Sequence, residues 1–372
     1  METYIFILGN HPKLSLAEIR AKVSGSAISY YDETSVFIEA EKLDYDRVLR
    51  SLGGTIKIGK VLHAPIGAQG LADILNERGG KIIFGISFYD RRARKEYERL
   101  GMEIKKVLKA QGRSTRLVVS REPILSSVVV AKNKCREFML LPCDDKTVVA
   151  ETLVVQEFED YSFRDYGRPN RDAASGMLPP KLAKMMINLS GAKPDDILLD
   201  PFCGSGTILQ EAIVLGFKNV IGCDISEKAV LDSQKNMSWL KDNLQLTVYS
   251  LQLFQCDARS LSNEVKNADV IVTEPYLGPA LSGRETREKI SGIIRELSDL
   301  YLFALREFKK ILKPSGVVVM AIPSFRFQDI VVRLSIMPEI VKIGYRSENT
   351  EALSYSRPDQ KLIREIVILR KV

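Results

Sequence analysis

Three short stretches place carboxylates and glycines where they could hold a nucleotide-sized ligand. "ILLDPFCGSGTILQEAIVLG" carries Asp200, Phe202, Gly204, Gly206 and Thr207 where an apolar strand gives way to a Gly-rich turn and an amphipathic helix. Glycines there allow positive φ and a close approach of backbone to ligand, which a side chain would block. "GCDIS" sets Asp224 and Ile225 at the end of a second apolar run, about twenty residues on, where an acid can bind ribose hydroxyls. "QCDARS" sets Asp257 and Ala258 at the end of a third, with the acid placed to accept from an adenine amine. The turn is not GxGxxG and no GK[ST] follows it, so a phosphate cradle is disfavoured. Acids along one edge suit a cationic, hydroxyl-rich ligand. S-adenosylmethionine, with a sulfonium, a ribose and an adenine but no phosphate, is such a ligand.

The run from Asp200 to Ala212 resembles the first motif of class I methyltransferases, with Asp224 and Asp257 at the later acidic positions. "VIVTEPYLGP" resembles the D/N-P-P-Y motif of methyltransferases that modify exocyclic amines. In that motif the acid or amide and a proline carbonyl accept hydrogen bonds from the amine, and the aromatic ring stacks on the base. The gain implied is proximity and orientation, with stabilisation of the developing ammonium. The match is imperfect. Aligned on T-D-P-P-Y-G, Glu274 stands at the acid, Pro275 at the first proline, Tyr276 at the second and Leu277 at the aromatic. Aligned on the tyrosine, Thr273 stands at the acid. The first alignment also matches Thr273 and Gly278 and is preferred, while the side chain that stacks on the base stays open.

Further stretches narrow the family. "RPNRDAASGMLPPKLAKMMINL" resembles the segment leading into the catalytic domain of THUMP-domain tRNA guanine methyltransferases. "GRSTRLVVSREP" with "LSSVVVAKNK" resembles the THUMP module, and "YIFILGNHPKLSLAEI" resembles the opening of the archaeal and eukaryotic enzymes making N2-methylguanosine at position 10 of tRNA. This implies methyl transfer from S-adenosylmethionine to the N2 amine of a tRNA guanine. The N-terminal half would grip the acceptor end and set the distance to the base. Some enzymes of this resemblance act with a small activating subunit. The alternatives are a same-architecture methyltransferase for another tRNA guanine or for ribosomal RNA, and a non-catalytic RNA-binding protein. Arg164, Arg168 and Arg171 are candidates for phosphate contact or for simple solvation, and Arg284 and Arg287 lie just after the catalytic turn, where RNA must enter.

These residues need elements to carry them. Residues 1–67 read β-α-β-β-α-β, the ferredoxin-like order. Residues 68–160 form a second unit, the THUMP RNA-binding domain by resemblance, with a long helix in "RKEYERLGMEIKKVLKAQG" and strands in "TRLVVS", "SSVVVAKN", "REFMLLPC" and "TVVAETLVV". The basic run "DRRARKEYER" reads as a solvated helix face or a phosphate-contacting one. Residues 161–180 are polar, rich in Arg, Gly and Pro, and read as a linker. From 181 to 372 short apolar strands alternate with helices, which predicts a Rossmann-like α/β domain with a mostly parallel sheet and helices on both faces.

The chain has 372 residues, enough for two or three domains. The +7 balance, from 54 Lys and Arg against 47 Asp and Glu, has the sign that suits a polyanionic partner. No apolar run approaches the roughly 20 residues that cross a bilayer, and the N-terminal apolar stretch has no basic leader or cleavage site. The expectation is a cytoplasmic monomer. Cys135, Cys143, Cys203, Cys223 and Cys256 are scattered without CxxC spacing, which argues against a disulfide framework or a zinc site, so no metal is expected. Cys203 and Cys223 read as small packing residues. His11 and His63 both lie in the first domain, so catalysis by histidine in the α/β domain is not expected. Trp239 is read as core or partner surface.

Overall fold

The computed structural model describes residues 1–23, 27–63, 65–77, 79–89, 99–144, 146–171, 177–244, 249–281, 285–327, 330–357 and 360–372. They fall into two compact units, one of residues 1–12, 23–51 and 55–158, the other of 13–22, 52–54 and 159–372. Among the described residues no helix is long and apolar enough to cross a membrane.

The first unit is built on an eight-stranded sheet. Its strands are β1 (Glu2–Leu8), β2 (Ala27–Tyr31), β3 (Ser35–Ala40), β4 (Thr55–Val61), β5 (Ile82–Phe88), β6 (Thr115–Val118), β7 (Arg136–Cys143) and β8 (Lys146–Val155), in the order β2-β3-β1-β4-β8-β7-β5-β6. Because β4 pairs with β8, strands from both sides of position 67 share this sheet. Inside it Lys57 donates to Glu137 at 2.6 Å and to the Leu125 carbonyl at 2.6 Å, which satisfies a fully buried charge. "SSVVVAKN" is not a strand: Ser127–Asn133 is a helix. The Ser126 hydroxyl caps it by accepting from the Val129 N–H, and this cap with its packing overrides the β preference of three valines. The expected long helix is described only over Leu100–Ala110, and the basic run at 90–98 lies outside the described residues.

In the second unit, β9 (Ile197–Asp200), β10 (Asn219–Asp224), β11 (Ser250–Gln255), β12 (Ala268–Thr273), β13 (Leu312–Phe327), β15 (Tyr345–Ser347) and β17 (Leu362–Lys371) line up as β11-β10-β9-β12-β13-β17-β15. Two short strands the sequence did not reveal, β14 (Ile330–Arg333) and β16 (Leu353–Tyr355), pair at its side. The first five strands of that order are parallel and β17 runs antiparallel to β13. Alternation along the strands feeds two cores. Leu198, Val270, Val272, Val317 and Val319 point into one, with helices at Pro180–Leu189 and Thr207–Val214. Leu199, Ile271, Val318 and Met320 point into the other, against the helix Arg287–Ile311. Each such side chain contributes about 1.5–3 kcal/mol on full burial. The chain runs from β9 outward to β11 and then returns to the other side of β9. The crevice beyond the strand ends at that reversal is where open α/β sheets bind ligands.

Candidate functional site

Strand β9 delivers Asp200 into the turn that starts the helix Thr207–Val214. Gly204 (φ +52°) and Gly206 (φ +86°) both adopt the left-handed backbone that L side chains resist. A Cβ on Gly204 would meet no atom within 4 Å and would project into the space the turn keeps open, whereas one on Gly206 would lie 2.5 Å from the Ser233 hydroxyl. The Asp224 carboxylate clamps this turn: Oδ2 accepts from the Gly204 N–H at 3.0 Å and Oδ1 from the Ser226 N–H at 2.9 Å. Asp257 accepts from the Arg259 N–H at 2.9 Å and from its guanidinium at 2.6 Å, and this partner holds its carboxyl below the usual range.

Asp200 differs from the other two acids. It is 2 % exposed and accepts from the Thr273 hydroxyl at 2.7 Å and the Phe202 N–H at 3.2 Å. Burial pushes its carboxyl up to about 7, against the pull of those two donors. Thr273 is the last residue of β12, so this one bond ties the cofactor turn to the acceptor turn.

After Thr273 the chain runs Glu274-Pro275-Tyr276-Leu277. Glu274 turns inward and pairs with Arg364 of β17. Burial raises its carboxyl while the guanidinium opposes that rise. Pro275 is buried and Leu277 half-buried, but Tyr276 is 57 % exposed. The Tyr276 carbonyl accepts from the buried Tyr301 hydroxyl at 2.7 Å, which anchors the turn from behind.

A single cavity of about 670 Å³ joins these parts. It is lined by Asp200, Phe202, Gly204, Thr207, Asp224, Ile225, Asp257 and Ala258 on one side and by Glu274, Pro275, Tyr276 and Leu277 on the other. Gly206 alone among the expected cofactor residues does not line it and serves the turn instead. The open cradle over Gly204 and the acidic edge fit S-adenosylmethionine. Asp224 and Asp257 would face its hydroxyls and adenine, and the exposed Ile225 would cover a ring face.

Two expected RNA contacts are corrected. Arg164 and Arg168 are buried: Arg164 donates to Glu211 at 2.6 Å and Arg168 to the Thr207 hydroxyl at 2.7 Å. Both brace the helix behind the cradle, and the segment read as linker begins inside a helix, Phe158–Tyr166. Arg171 is exposed with its guanidinium 4.7 Å from the centre of the Tyr166 ring, and Arg287 is exposed at the start of its helix. Arg284 lies outside the described residues. The cysteine reading is corrected too, since Cys223 and Cys256, each just before a cofactor acid, form a disulfide with Cα atoms 5.7 Å apart. Cys203 is buried, and burial drives its thiol well up. Trp239 packs on Phe163 with ring centres 4.5 Å apart. Sequence reasoning missed Arg364 and Tyr301. The signal for Arg364 was there: a charge in phase with buried Ile366 and set among the apolar residues of β17.

Known proteins resemble this chain. A family model for an RMKL-like methyltransferase domain matches residues 168–336, and one for DNA methylase matches 91–235. A tRNA (guanine(10)-N2)-dimethyltransferase of Methanothermobacter thermautotrophicus is 32% identical over 184 residues, 49% of each chain. A probable tRNA (guanine(10)-N2)-dimethyltransferase of Methanothermococcus thermolithotrophicus is 37% identical over 113 residues, 30% of this chain and 68% of that one. Over its longer matches the chain spans about half the length of its curated relatives. The crystal structure of TrmN from Thermus thermophilus superposes with a TM-score of 0.57 at 17% identity, covering 100% of both chains, and so shares the fold.

Proposed function

The chain belongs to the family of tRNA (guanine(10)-N2)-dimethyltransferases, and on that premise we propose that it methylates the N2 amine of a tRNA guanine, guanosine 10 in the first instance. The observation that carries this reading is the one cavity shared by the cofactor acids and the Glu274–Leu277 turn. S-adenosylmethionine would supply an electrophilic methyl on its sulfonium. Glu274 and the Pro275 carbonyl accept from the guanine amine, hold its lone pair out of ring conjugation and aim it along the line of transfer. The exposed Tyr276 ring stacks on the base. Glu274 stabilises the positive charge that develops on nitrogen, and the released proton leaves through that carboxylate or to water.

Exposed Arg171 and Arg287 contact tRNA phosphates in this proposal, and the first unit, in its ferredoxin-like and THUMP parts, grips the acceptor end. The protein acts as a cytoplasmic monomer, with or without a small activating subunit. The test is methyl transfer from labelled S-adenosylmethionine to unmodified tRNA transcripts, followed by nucleoside analysis and site mapping, with wild type and Glu274→Ala side by side. N2-methylguanosine or its dimethyl form at position 10, lost in the variant while S-adenosylhomocysteine still binds, supports the reading. Product at another guanine or in ribosomal RNA selects the same-architecture alternative. Tight cofactor binding with no methylated nucleoside, with or without an added activating subunit, leaves an RNA-binding role.

A further inference from the structure

The Glu274–Arg364 pair links positions 90 apart in sequence. Arg364 stands opposite Pro323 on one side of β13, and Thr273 stands opposite Met320 on the other. The guanidinium therefore reaches across a whole intervening strand, a backbone span of roughly 10 Å. Only two long side chains close such a gap; an aspartate at 274 would stop one methylene short. Glu274 lines the cavity with 13 % of its side chain exposed, while Arg364, 5 % exposed, lies behind it. The Nε–H of Arg364 meets Oε1 of Glu274, and no other hydrogen bond to that carboxylate occurs among the described residues. Replacing a buried ion pair by apolar residues is often neutral or stabilising, so stability does not account for a pair placed at the cavity wall.

We propose that Arg364 is a positioning residue for the acceptor: it holds Oε1 of Glu274 so that Oε2 faces the N–H edge of the guanine. The proposal rests on the methyl-transfer reading above. It explains how a glutamate serves where the resembled motif has a shorter acid, because the guanidinium draws the longer side chain back from the base. It also opposes the rise that burial imposes on the acceptor's carboxyl. Among the described residues the other titratable groups around Glu274 are Asp200 at the end of β9, Tyr276 on the same turn and Tyr301 on the helix Arg287–Ile311. None of these is a cation, so among the described residues Arg364 is the charge that favours the carboxylate.

The test compares wild type, Arg364→Met and Arg364→Lys in single-turnover methyl transfer from pH 5.5 to 9.5. S-adenosylhomocysteine affinity by calorimetry reports an intact fold. A second readout is the titration of the Glu274 carboxyl in 13C-glutamate NMR spectra, assigned by its loss in Glu274→Gln. For Arg364→Met the expected result is a roughly 100-fold lower rate at pH 7, with KM for tRNA little changed. Its acid limb and its carboxyl titration move to higher pH, and part of the rate returns by pH 9. Arg364→Lys keeps the charge without the fixed N–H direction, so the acid limb stays where wild type has it while kcat falls about tenfold. Wild-type rate and pH profile in Arg364→Met overturn the proposal. If that variant does not fold, wild-type kcat in Arg364→Lys overturns it. Absence of methylated guanosine from wild type sinks the methyl-transfer reading instead, and the NMR titration then still decides whether Arg364 governs the carboxyl.

Discussion

The two walls of the cavity are held by different means. On the cofactor wall the acids bind backbone: Asp224 to Gly204 and Ser226, Asp257 to Arg259, Asp200 to Phe202. These bonds are short-range or join adjacent strands, and their geometry depends on glycines with positive φ. On the acceptor wall side chains from distant elements do the holding, Arg364 on Glu274 and Tyr301 on the Tyr276 carbonyl. The first wall depends on its acids and on glycines that leave no room for an added Cβ at Gly206. The second depends on single long side chains reaching in from elsewhere. A cofactor common to many proteins suits the first design, and an acceptor particular to one suits the second.

The sharpest way to break this contrast is Gly206→Val. A β-branched residue at φ +86° is strained, and its Cβ would lie 2.5 Å from the Ser233 hydroxyl. Strain of this kind costs about 1–3 kcal/mol, and S-adenosylhomocysteine affinity should fall more than roughly 100-fold by calorimetry, since the turn that carries Gly204 must move. Normal affinity would mean that backbone does not build that wall. Glu274→Gln tests the other wall. It keeps the shape but loses the charge, so transfer should slow about 10²–10³-fold while cofactor affinity holds. Equal losses of affinity and rate would merge the two walls into one unit.

The same contrast explains what was readable beforehand. Asp200, Asp224 and Asp257 were legible because strand, turn and helix are local patterns and each acid sits at a strand end. The TEPY turn was legible for the same reason. Arg164 and Arg168 were misread because their segment is polar and aperiodic, and nothing nearby in sequence says that Glu211 and Thr207 wait in the interior. The helix at Ser127–Asn133 was hidden by its valines, since a cap and a packing site outweigh intrinsic preference. Cys223 and Cys256 are 33 residues apart, and only the parallel pairing of β10 with β11 brings them together. Arg364 required knowing that β17 returns antiparallel beside β13.

Asp200, which bridges the two walls, gives a pH signature. Its carboxyl is raised to about 7 in the fold, chiefly by burial. A raised acid contributes stability that is fully present below its unfolded value of about 4 and is lost as pH rises through about 7. Asp200→Asn still offers Oδ1 to Thr273 and Phe202 but cannot titrate. Its stability relative to wild type should therefore increase between pH 4.5 and 8, by about 3 kcal/mol. Thermal unfolding of both proteins across that range measures it, and a constant difference would mean that Asp200 ionises normally inside the fold.

The smallest effect is expected where the acceptor wall relies on a neutral hydrogen bond. Tyr301→Phe removes the donor to the Tyr276 carbonyl and leaves the ring packed in the core that also holds Leu297 and Phe325. A neutral bond of this kind contributes about 0.5–1.5 kcal/mol, and the carbonyl it leaves is next to an exposed residue that water can reach. Stability should fall by about that amount, while single-turnover transfer slows roughly three- to tenfold because the turn carrying Glu274 and Pro275 loses its rear anchor. Cofactor affinity should not change. Kinetics at one saturating cofactor concentration, with melting curves alongside, separate these terms. A rate loss no larger than the stability loss implies would reduce Tyr301 to packing and leave Arg364 as the principal support of the acceptor wall.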